Sequence, residues 1–457
     1  MLKFGTDGVR GKFGSELTEN YVANLAVVVA EVLDAPKVLV GRDTRESGSV
    51  LEAAITRALT TAGVEVGLMG VAPTPAIAFA ASTQNAVSIS ITASHNPYSD
   101  NGIKVFGRGG RKLSEAEQQQ IEHELVSRLG SSPTGDSHDK NSSVEANKAA
   151  KTVRSTRPTD QASLVQEYCE FLLDAVGRVS LKDLHVVLDC ANGAFSKIAS
   201  TVFVGLGAKI STINDNPDGR NINLDCGATH PAALSAAVRN AGANFGVAFD
   251  GDGDRLIAAD ENGSIVDGDH LMAMSAIEMK KNGVLRNNSV AVTVMTNIGF
   301  HRAMKTNGIA VVTTPVGDRA VLVALEENDL VLGGEQSGHI IYRDLATTGD
   351  GLLAALVLAR MLVGTRLKLS EIASSSMTSF PQVLRNVKVS KQVSEGERSF
   401  APELALGERL LGQDGRVLVR ASGTENLVRV MVEATEQSVA ESVAAKLVDS
   451  ITSRLGG

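Results

Sequence analysis

Tryptophan is absent from this chain, and aromatic residues together make up only 4% of its 457 positions. Binding of nucleic acid as a main function calls for a basic surface with stacking aromatics, whereas the net charge here is −8. A nucleic-acid partner is excluded on that ground, and any anionic ligand has to meet a local basic cluster. Cysteine is scarce too: Cys169, Cys190 and Cys226 are odd in number, far apart and without a CxxC pair. Neither a disulfide framework nor a zinc site is indicated, and reduced thiols in a cytosol fit best. No run of ~18 apolar residues occurs, and the N-terminal MLKFGTDGVRG lacks the apolar stretch of a signal peptide. The expectation is a soluble, cytoplasmic protein with no membrane partner. What the chain does have is 43% apolar residues, ample for about three domains at ~150 residues each.

Short β-branched runs alternate with Ala/Leu-rich stretches, the pattern of α/β domains. Grouped, they repeat. Strand 37–40, helix 48–62, strand 64–68, helix 75–81 and strand 86–92 lead into Ser94. Strand 186–189, helix 195–206, strand 209–213, helix 231–241 and strand 245–249 lead into DGDGDR. Strand 289–294, helix 298–307, strand 309–314, helix 318–327 and strand 330–332 lead into GGEQSGH. Ligands of open α/β sheets gather beyond the carboxyl ends of strands, so three such loops are expected to converge on one cleft. Residues 131–158 are polar, with almost no bulky apolar side chains, and read as a flexible connection or a surface excursion. From about 374 the pattern becomes a smaller α+β domain: strand 383–389, a helix near 401–412, strands 417–420 and 427–433, and a closing helix from Ser438. The expected fold is thus three similar α/β domains with mixed sheets and a C-terminal α+β domain around a central cleft, divided as 1–157, 158–256, 257–373 and 374–457.

Four motifs carry chemistry. In ASHNP, Ser94 follows a buried-looking strand and precedes an Asn96-Pro97 turn that exposes its hydroxyl. It reads as an ordinary turn serine, or as a nucleophile or phosphate carrier. A serine hydrolase is disfavoured because no GxSxG elbow is present and because His95, on a continuing strand, would point away from Ser94. With Lys104 in the following DNGIK, phosphate chemistry is the better functional reading. Asp250, Asp252 and Asp254 place three carboxylates within five residues, a crowding that a hard divalent cation relieves. The alternatives are a solvated acidic turn and an EF-hand calcium loop. Glu261 stands at that loop's twelfth position, but Arg255 occupies its glycine position. Glu335-Gln-Ser337-Gly-His339 offers donors and acceptors suited to sugar hydroxyls, or simply forms a capped turn. Arg420-Ala-Ser422-Gly423-Thr424, with Arg429, suits an incoming phosphate. A hairpin salt-bridged through Glu425 and Glu433 is its bland alternative. No P-loop or complete dinucleotide fingerprint is present, so ATP and NAD are unsupported.

Taken together and in this order, TASHNP, DGDGDR, GEQSGH and RASGTE resemble the α-D-phosphohexomutase family over essentially the whole chain. Within it, FGTDGVRG at 4–11, TTPVGDR at 313–319, GGEQSGH at 333–339 and ATTGDG at 346–351 are most similar to the bacterial phosphoglucosamine mutases. The resemblance implies an isomerase that interconverts glucosamine 6-phosphate and glucosamine 1-phosphate through a phosphoserine and glucosamine 1,6-bisphosphate, on the route to UDP-N-acetylglucosamine and the cell wall. It implies Ser94 as the phosphoserine, and one Mg²⁺ held by Ser94, Asp250, Asp252 and Asp254. Arg10, His95, Lys104 and Arg255 match positions at the reaction centre, with Lys104 expected as general acid/base. Glu335, Ser337 and His339 match the sugar site, and Arg420, Ser422, Gly423, Thr424 and Arg429 the site of the non-reacting phosphate. A homodimer is also implied. The chain departs from the common pattern at Thr92, where a serine is usual, and at Asn426, where many relatives have proline. The amino-sugar assignment rests mainly on Gln336 and the flanking sequences. The alternatives are a phosphomannomutase or phosphoglucomutase, and a non-catalytic sugar-phosphate binding protein.

Overall fold

The structure, a computed structural model, describes residues 2–5, 8–130, 157–390, 400–421 and 426–455. Most of the polar segment 131–158 thus lies outside the described residues, as do Ser422, Gly423 and Thr424.

The first α/β layer runs β1 (Gly8–Lys12), α1 (Glu19–Val32), β2 (Lys37–Arg42), α2 (Glu46–Thr61), β3 (Glu65–Val71), α3 (Thr74–Thr83), β4 (Val87–Ile91), β5 (Asp100–Phe106) and α4 (Glu115–Gly130). Thr18 starts α1 by accepting the Tyr21 amide. With β6 (Thr159–Asp160), the strands form one sheet in the order β1-β5-β4-β2-β3-β6. Strands β2 and β4 pair in parallel, and their Val and Ile side chains are buried under α1, α2 and α4. The opposite face, through Leu39 and Met69, is covered by α3 and by Leu164. Burial on both faces is why these strands read as nearly unbroken apolar runs.

The second layer runs α5 (Ser163–Ala175), β7 (His185–Asp189), α6 (Ala199–Gly205), β8 (Lys209–Ile213), α7 (Ala232–Ala241), β9 (Phe245–Phe249), β10 (Leu256–Asp260) and β11 (Ile265–Val266). Gly242, left-handed at φ +59°, ends α7. The third runs α8 (Gly268–Lys281), β12 (Ser289–Thr293), α9 (Ile298–Thr306), β13 (Ala310–Thr314), α10 (Asp318–Glu327), β14 (Leu332–Gly334), β15 (Ile340–Tyr342), α11 (Gly351–Thr365) and α12 (Leu369–Ser376).

The three sheets share one strand order: β5-β4-β2-β3, β10-β9-β7-β8 and β15-β14-β12-β13. In each, the strand entering the motif pairs in parallel with an earlier strand of its layer, β4 with β2, β9 with β7 and β14 with β12, and an antiparallel strand returns from the motif. The sequence reading omitted these returning strands. ASHNP, DGDGDR and GEQSGH are therefore hairpin connections, which fix a polar loop at both ends by ladder hydrogen bonds.

The chain packs as two compact units, Met1–Val294 with Val312–Ala373, and Met295–Val311 with Ser374–Gly457. In the second unit, β16 (Gln382–Lys388), α13 (Ala401–Leu411), β17 (Gly415–Ala421), β18 (Leu427–Ala434) and α14 (Gln437–Leu455) build an antiparallel sheet, β16-β18-β17, over a core that includes Phe400, Val430, Leu447 and Ile451. Helix α9, read from the sequence as part of the third α/β domain, packs here. The reason is polar as well as apolar. Buried Glu433 accepts the Ile298 amide at 3.1 Å, Gln382 at 2.9 Å and Arg416 at 3.0 Å. The Asn297 side chain exchanges hydrogen bonds with the Phe380 backbone, over whose ring Arg302 stacks. Among the described residues, no helix is long and apolar enough to cross a membrane.

Candidate functional site

Strand β4 stops short of Ser94, whose φ of +54° puts it in the left-handed region that side chains other than Gly, Asn and Asp seldom adopt. That turn overturns the expectation that His95 points away: its Nδ1 lies 3.5 Å from Ser94 Oγ. The serine hydroxyl is nonetheless committed elsewhere. Fully buried, Ser94 Oγ donates to Asp250 Oδ2 at 2.6 Å. The Ser94 amide donates to Thr92 Oγ1 at 2.9 Å, so threonine supplies the hydroxyl that a serine commonly would. Burial first, then Arg255 and Arg10, push the His95 imidazole down to about 4.

The DGDGDR hairpin turn brings Asp250, Asp252 and Asp254 together, each with a ligand oxygen within 4.8 Å of the others and all buried. Lys104, opposite Gly8 in the β1–β5 ladder, reaches Asp254 Oδ2 at 2.6 Å and Asp252 Oδ2 at 2.8 Å. Thr74, at the start of α3, donates to Asp252 Oδ2 at 2.7 Å and is itself paired with Ser90 on β4. Asp252 Oδ1 and Asp254 Oδ1 are buried without a hydrogen-bond partner among the described residues. Burial, reinforced by Asp254 and Asp252, raises Asp250 to about 8. At Asp254 burial acts in the same sense but is outweighed by Lys104 and His339, so its carboxyl stays well below the ordinary range. Burial would likewise deprotonate Lys104, yet Asp252 and Asp254 raise its pKa above the ordinary ammonium value. An all-oxygen set with two orphaned carboxylate atoms fits a hard divalent cation. The calcium-loop alternative fails, because Glu261 is bound to Ser370 on α12.

A cavity of about 480 Å³ opens beside this cluster, lined by Gly8, Arg10, Lys104, Asp254, Arg255, Gly317, Asp318, Glu335 and His339 among others. Glu335 accepts the Gly317 amide at 3.0 Å, and Ser337 Oγ lies 3.4 Å from the other Glu335 oxygen. The Gly349 amide donates to His339 Nε2 at 3.1 Å, leaving Nδ1 to face Asp254 Oδ2 at 3.8 Å. A larger cavity of about 680 Å³, between α4 and the β13–α10 segment, contains none of the predicted residues. Gln336 does not line the smaller cavity either; its amide reaches Asp267, the cap of α8, at 3.4 Å. Sequence reasoning missed Thr74, Asp318 and Lys112, the last two ion-paired at 2.6 Å beside His339. For Asp318 a signal existed, since TTPVGDR contains it; Thr74 and Lys112 stand in no motif.

In the second unit Arg420 and Arg429 are register partners across β17 and β18. Glu433 pairs with Arg416 instead, which removes the Glu433 half of the salt-bridged hairpin reading. Burial, then the neighbouring Arg429, lowers the Arg420 pKa. Ser422, Gly423 and Thr424, between these strands, are outside the described residues.

Comparison with known proteins bears on the whole chain. Residues 1–128, 166–263 and 267–380 match the phosphoglucomutase/phosphomannomutase alpha/beta/alpha domains I, II and III, and 384–450 the C-terminal domain of the same family. A phosphoglucosamine mutase of Saccharopolyspora erythraea is 45% identical over 98% of both chains. Another, of Thermobifida fusca, is 46% identical over 99% of this chain and 98% of its own. Among solved structures, Aspergillus fumigatus N-acetylphosphoglucosamine mutase in complex with GlcNAc-6P and magnesium superposes with a TM-score of 0.67 at 18% identity, covering 99% of this chain and 95% of that one.

Proposed function

The chain belongs to the phosphoglucomutase/phosphomannomutase family, and from that premise we propose that it interconverts glucosamine 6-phosphate and glucosamine 1-phosphate through a phosphoserine at Ser94. It is then an isomerase working by phosphoryl transfer, as its curated relatives are named to be. The observation that carries the reading is the 2.6 Å contact of Ser94 Oγ with Asp250, inside a three-carboxylate cluster two of whose oxygens lack partners. A hydroxyl so placed would hold its phosphoryl group next to a cluster of carboxylates that suits a divalent cation.

Asp250, Asp252 and Asp254, with the phosphate on Ser94, would hold Mg²⁺, the ion named in the Aspergillus complex. That ion would supply charge neutralisation for the transferring group. The remaining roles belong to side chains. Lys104, kept charged by two carboxylates, donates to the reacting oxygens and serves as the acid/base group. Arg10 and Arg255 face the cavity with cationic groups that meet phosphoryl oxygens. His95 contributes a neutral imidazole beside Ser94, and His339 orients Asp254. Glu335 and Ser337 bind sugar hydroxyls. Arg420 and Arg429, with Ser422, Gly423 and Thr424, take the phosphate that is not reacting. Donation from Ser94 gives a 1,6-bisphosphate, which turns around and returns its other phosphate to Ser94. A phosphate site away from Ser94 is what such a turnaround requires.

The test follows the 1-phosphates by ³¹P NMR, starting separately from the 6-phosphates of glucosamine, glucose and mannose with Mg²⁺ and a trace of bisphosphate. Preference for glucosamine 6-phosphate, lost in Ser94→Ala, is expected. Preference for another sugar replaces the substrate, and no isomerisation by Ser94-phosphorylated protein defeats the proposal.

A further inference from the structure

The Ser94 carbonyl accepts two side-chain hydrogen bonds, and both groups that give them come from loops with no part in the chemistry above. Arg45, fully buried between β2 and α2, donates Nη2 to Ser94 O at 3.2 Å and to Asn96 O at 2.5 Å. Its other terminal nitrogen is ion-paired with buried Asp43. Asn223, on the loop between β8 and α7, donates Nδ2 to the same two oxygens at 2.9 and 3.1 Å. Asn223 is itself left-handed, at φ +58°, and tied back by its amide to Ala191 O at 2.9 Å. Asparagine adopts that conformation readily, whereas a serine held there is strained and stays so only where the surroundings over-determine it. Gly251 is the third part. A Cβ there would lie 2.7 Å from Ser94 O and 2.8 Å from Asn223 Nδ2, so the glycine leaves the gap through which Asn223 reaches the carbonyl.

We infer that Asn223 and Arg45 are positioning residues that lock the left-handed backbone of Ser94, and so keep Oγ aimed at the same point for both phosphoryl transfers. The inference rests on the phosphoserine reading. Its logic is that one serine oxygen must give up a phosphoryl group to one end of the sugar and take one from the other end, with the carboxylate cluster fixed throughout. If the loop relaxed to an ordinary strand conformation, Oγ would leave Asp250 while the sugar-binding side chains stayed in place. A displacement near 1 Å in such a transfer costs on the order of 100-fold in rate.

The experiment uses the full chain with Asn223→Ala and with Asn223→Leu, which fills the same space without a donor. Each protein is checked for folding by circular dichroism and for Ser94 phosphate by intact mass. Transfer from phospho-Ser94 to glucosamine 6-phosphate is timed by rapid quench, and sugar-phosphate affinity is read by calorimetry on the same samples. The expected result is a transfer rate lower by about 10–100-fold per phosphorylated protein in both variants, with affinity unchanged. Full transfer by Asn223→Leu makes Asn223 mere packing and overturns the inference. Parallel loss of affinity and rate overturns it as well. Wild-type protein that carries phosphate but transfers none to any sugar phosphate defeats the phosphoserine reading instead, so the two failures are distinct.

Discussion

Arg420 and Arg429 stand directly opposite one another on β17 and β18, and among the described residues neither is ion-paired with a carboxylate. Like charges in register on neighbouring strands destabilise the pair by about 0.2–1 kcal/mol. An anion between them turns that cost into binding energy. Arg429→Gln is therefore expected to leave the melting temperature of the free protein unchanged or slightly higher, while abolishing most of the stabilisation given by added phosphate. The KM for sugar phosphates should rise about 10–100-fold, the loss of one hydrogen bond to a charged group. A calorimetric melt with and without phosphate, beside steady-state kinetics, checks both halves; an unaltered KM removes Arg429 from the site.

Thr74 acts on the carboxylate cluster from behind. Its hydroxyl fixes Asp252 Oδ2 at 2.7 Å, and its amide donates to the Asp252 carbonyl at 2.9 Å. Thr74→Val keeps the shape and the amide but frees the carboxylate to rotate. Outer partners of metal ligands are worth about 10–100-fold in metal affinity, and that loss is expected here for Mg²⁺. Titration calorimetry of the metal-free protein with Mg²⁺ measures it directly. Chelation of the wild type should abolish isomerisation and be reversed by Mg²⁺; equal affinity in the two proteins would show that Lys104 suffices to orient Asp252.

How far the sequence led is visible in particular elements. Strands β8 and β9 and helix α10 lie where the apolar periodicity places them, because each is bounded by turn residues and is long enough to show its period. The returning strands β5, β10 and β15 were not seen. Strand β5 opens on Asp-Asn-Gly, which reads as a turn, and β15 has three residues, too few for any alternation to register. Ser94 and the three aspartates were legible as chemistry because glycine spacing and crowded charge are local properties. Thr74, Asn223 and Arg45 were not, since what defines them is an approach across 178, 129 and 49 positions of chain. The orientation of His95 was misjudged because a left-handed serine leaves no mark in the sequence.

Asp350 provides a pH test that does not titrate one of the three clustered carboxylates. It caps α11 by accepting the Leu353 amide at 2.9 Å, and both of its oxygens lie 2.9 Å from the Tyr168 hydroxyl. Burial raises its pKa from 3.8 to about 6, and those hydrogen bonds lower it only in part. The folded chain therefore holds this proton more tightly than the unfolded chain does. The resulting stability is fully present below pH 3.8 and is lost as pH rises through about 6. At 1.36 kcal/mol per pKa unit the loss is roughly 3 kcal/mol. Asp350→Asn keeps an acceptor for Leu353 and for Tyr168 but does not titrate. Its melting temperature relative to wild type should climb between pH 4 and pH 7 and then level off, and a flat difference would mean that Asp350 stays ionised when folded.

Gln336 was the residue on which the choice of an amino sugar leaned, and its geometry argues that discrimination lies elsewhere. Its amide nitrogen lies 3.4 Å from Asp267 Oδ2, and Asp267 in turn accepts the His270 amide at 3.1 Å as the cap of α8. Glu335 and His339, from the same turn, line the cavity and Gln336 does not. A side chain engaged with a helix cap and absent from the cavity wall is not placed to contact the carbon-2 substituent of a sugar. Gln336→Ala is thus expected to keep the ratio of kcat/KM for glucosamine 6-phosphate over glucose 6-phosphate within about twofold, whereas a hydrogen-bonding specificity contact would be worth far more. Glu335→Gln, which alters a cavity wall, should depress turnover of both sugars. The two ratios are read from ³¹P NMR progress curves on matched protein. A tenfold fall in preference on removing Gln336 would mean that its amide leaves Asp267 and touches the sugar in the working enzyme.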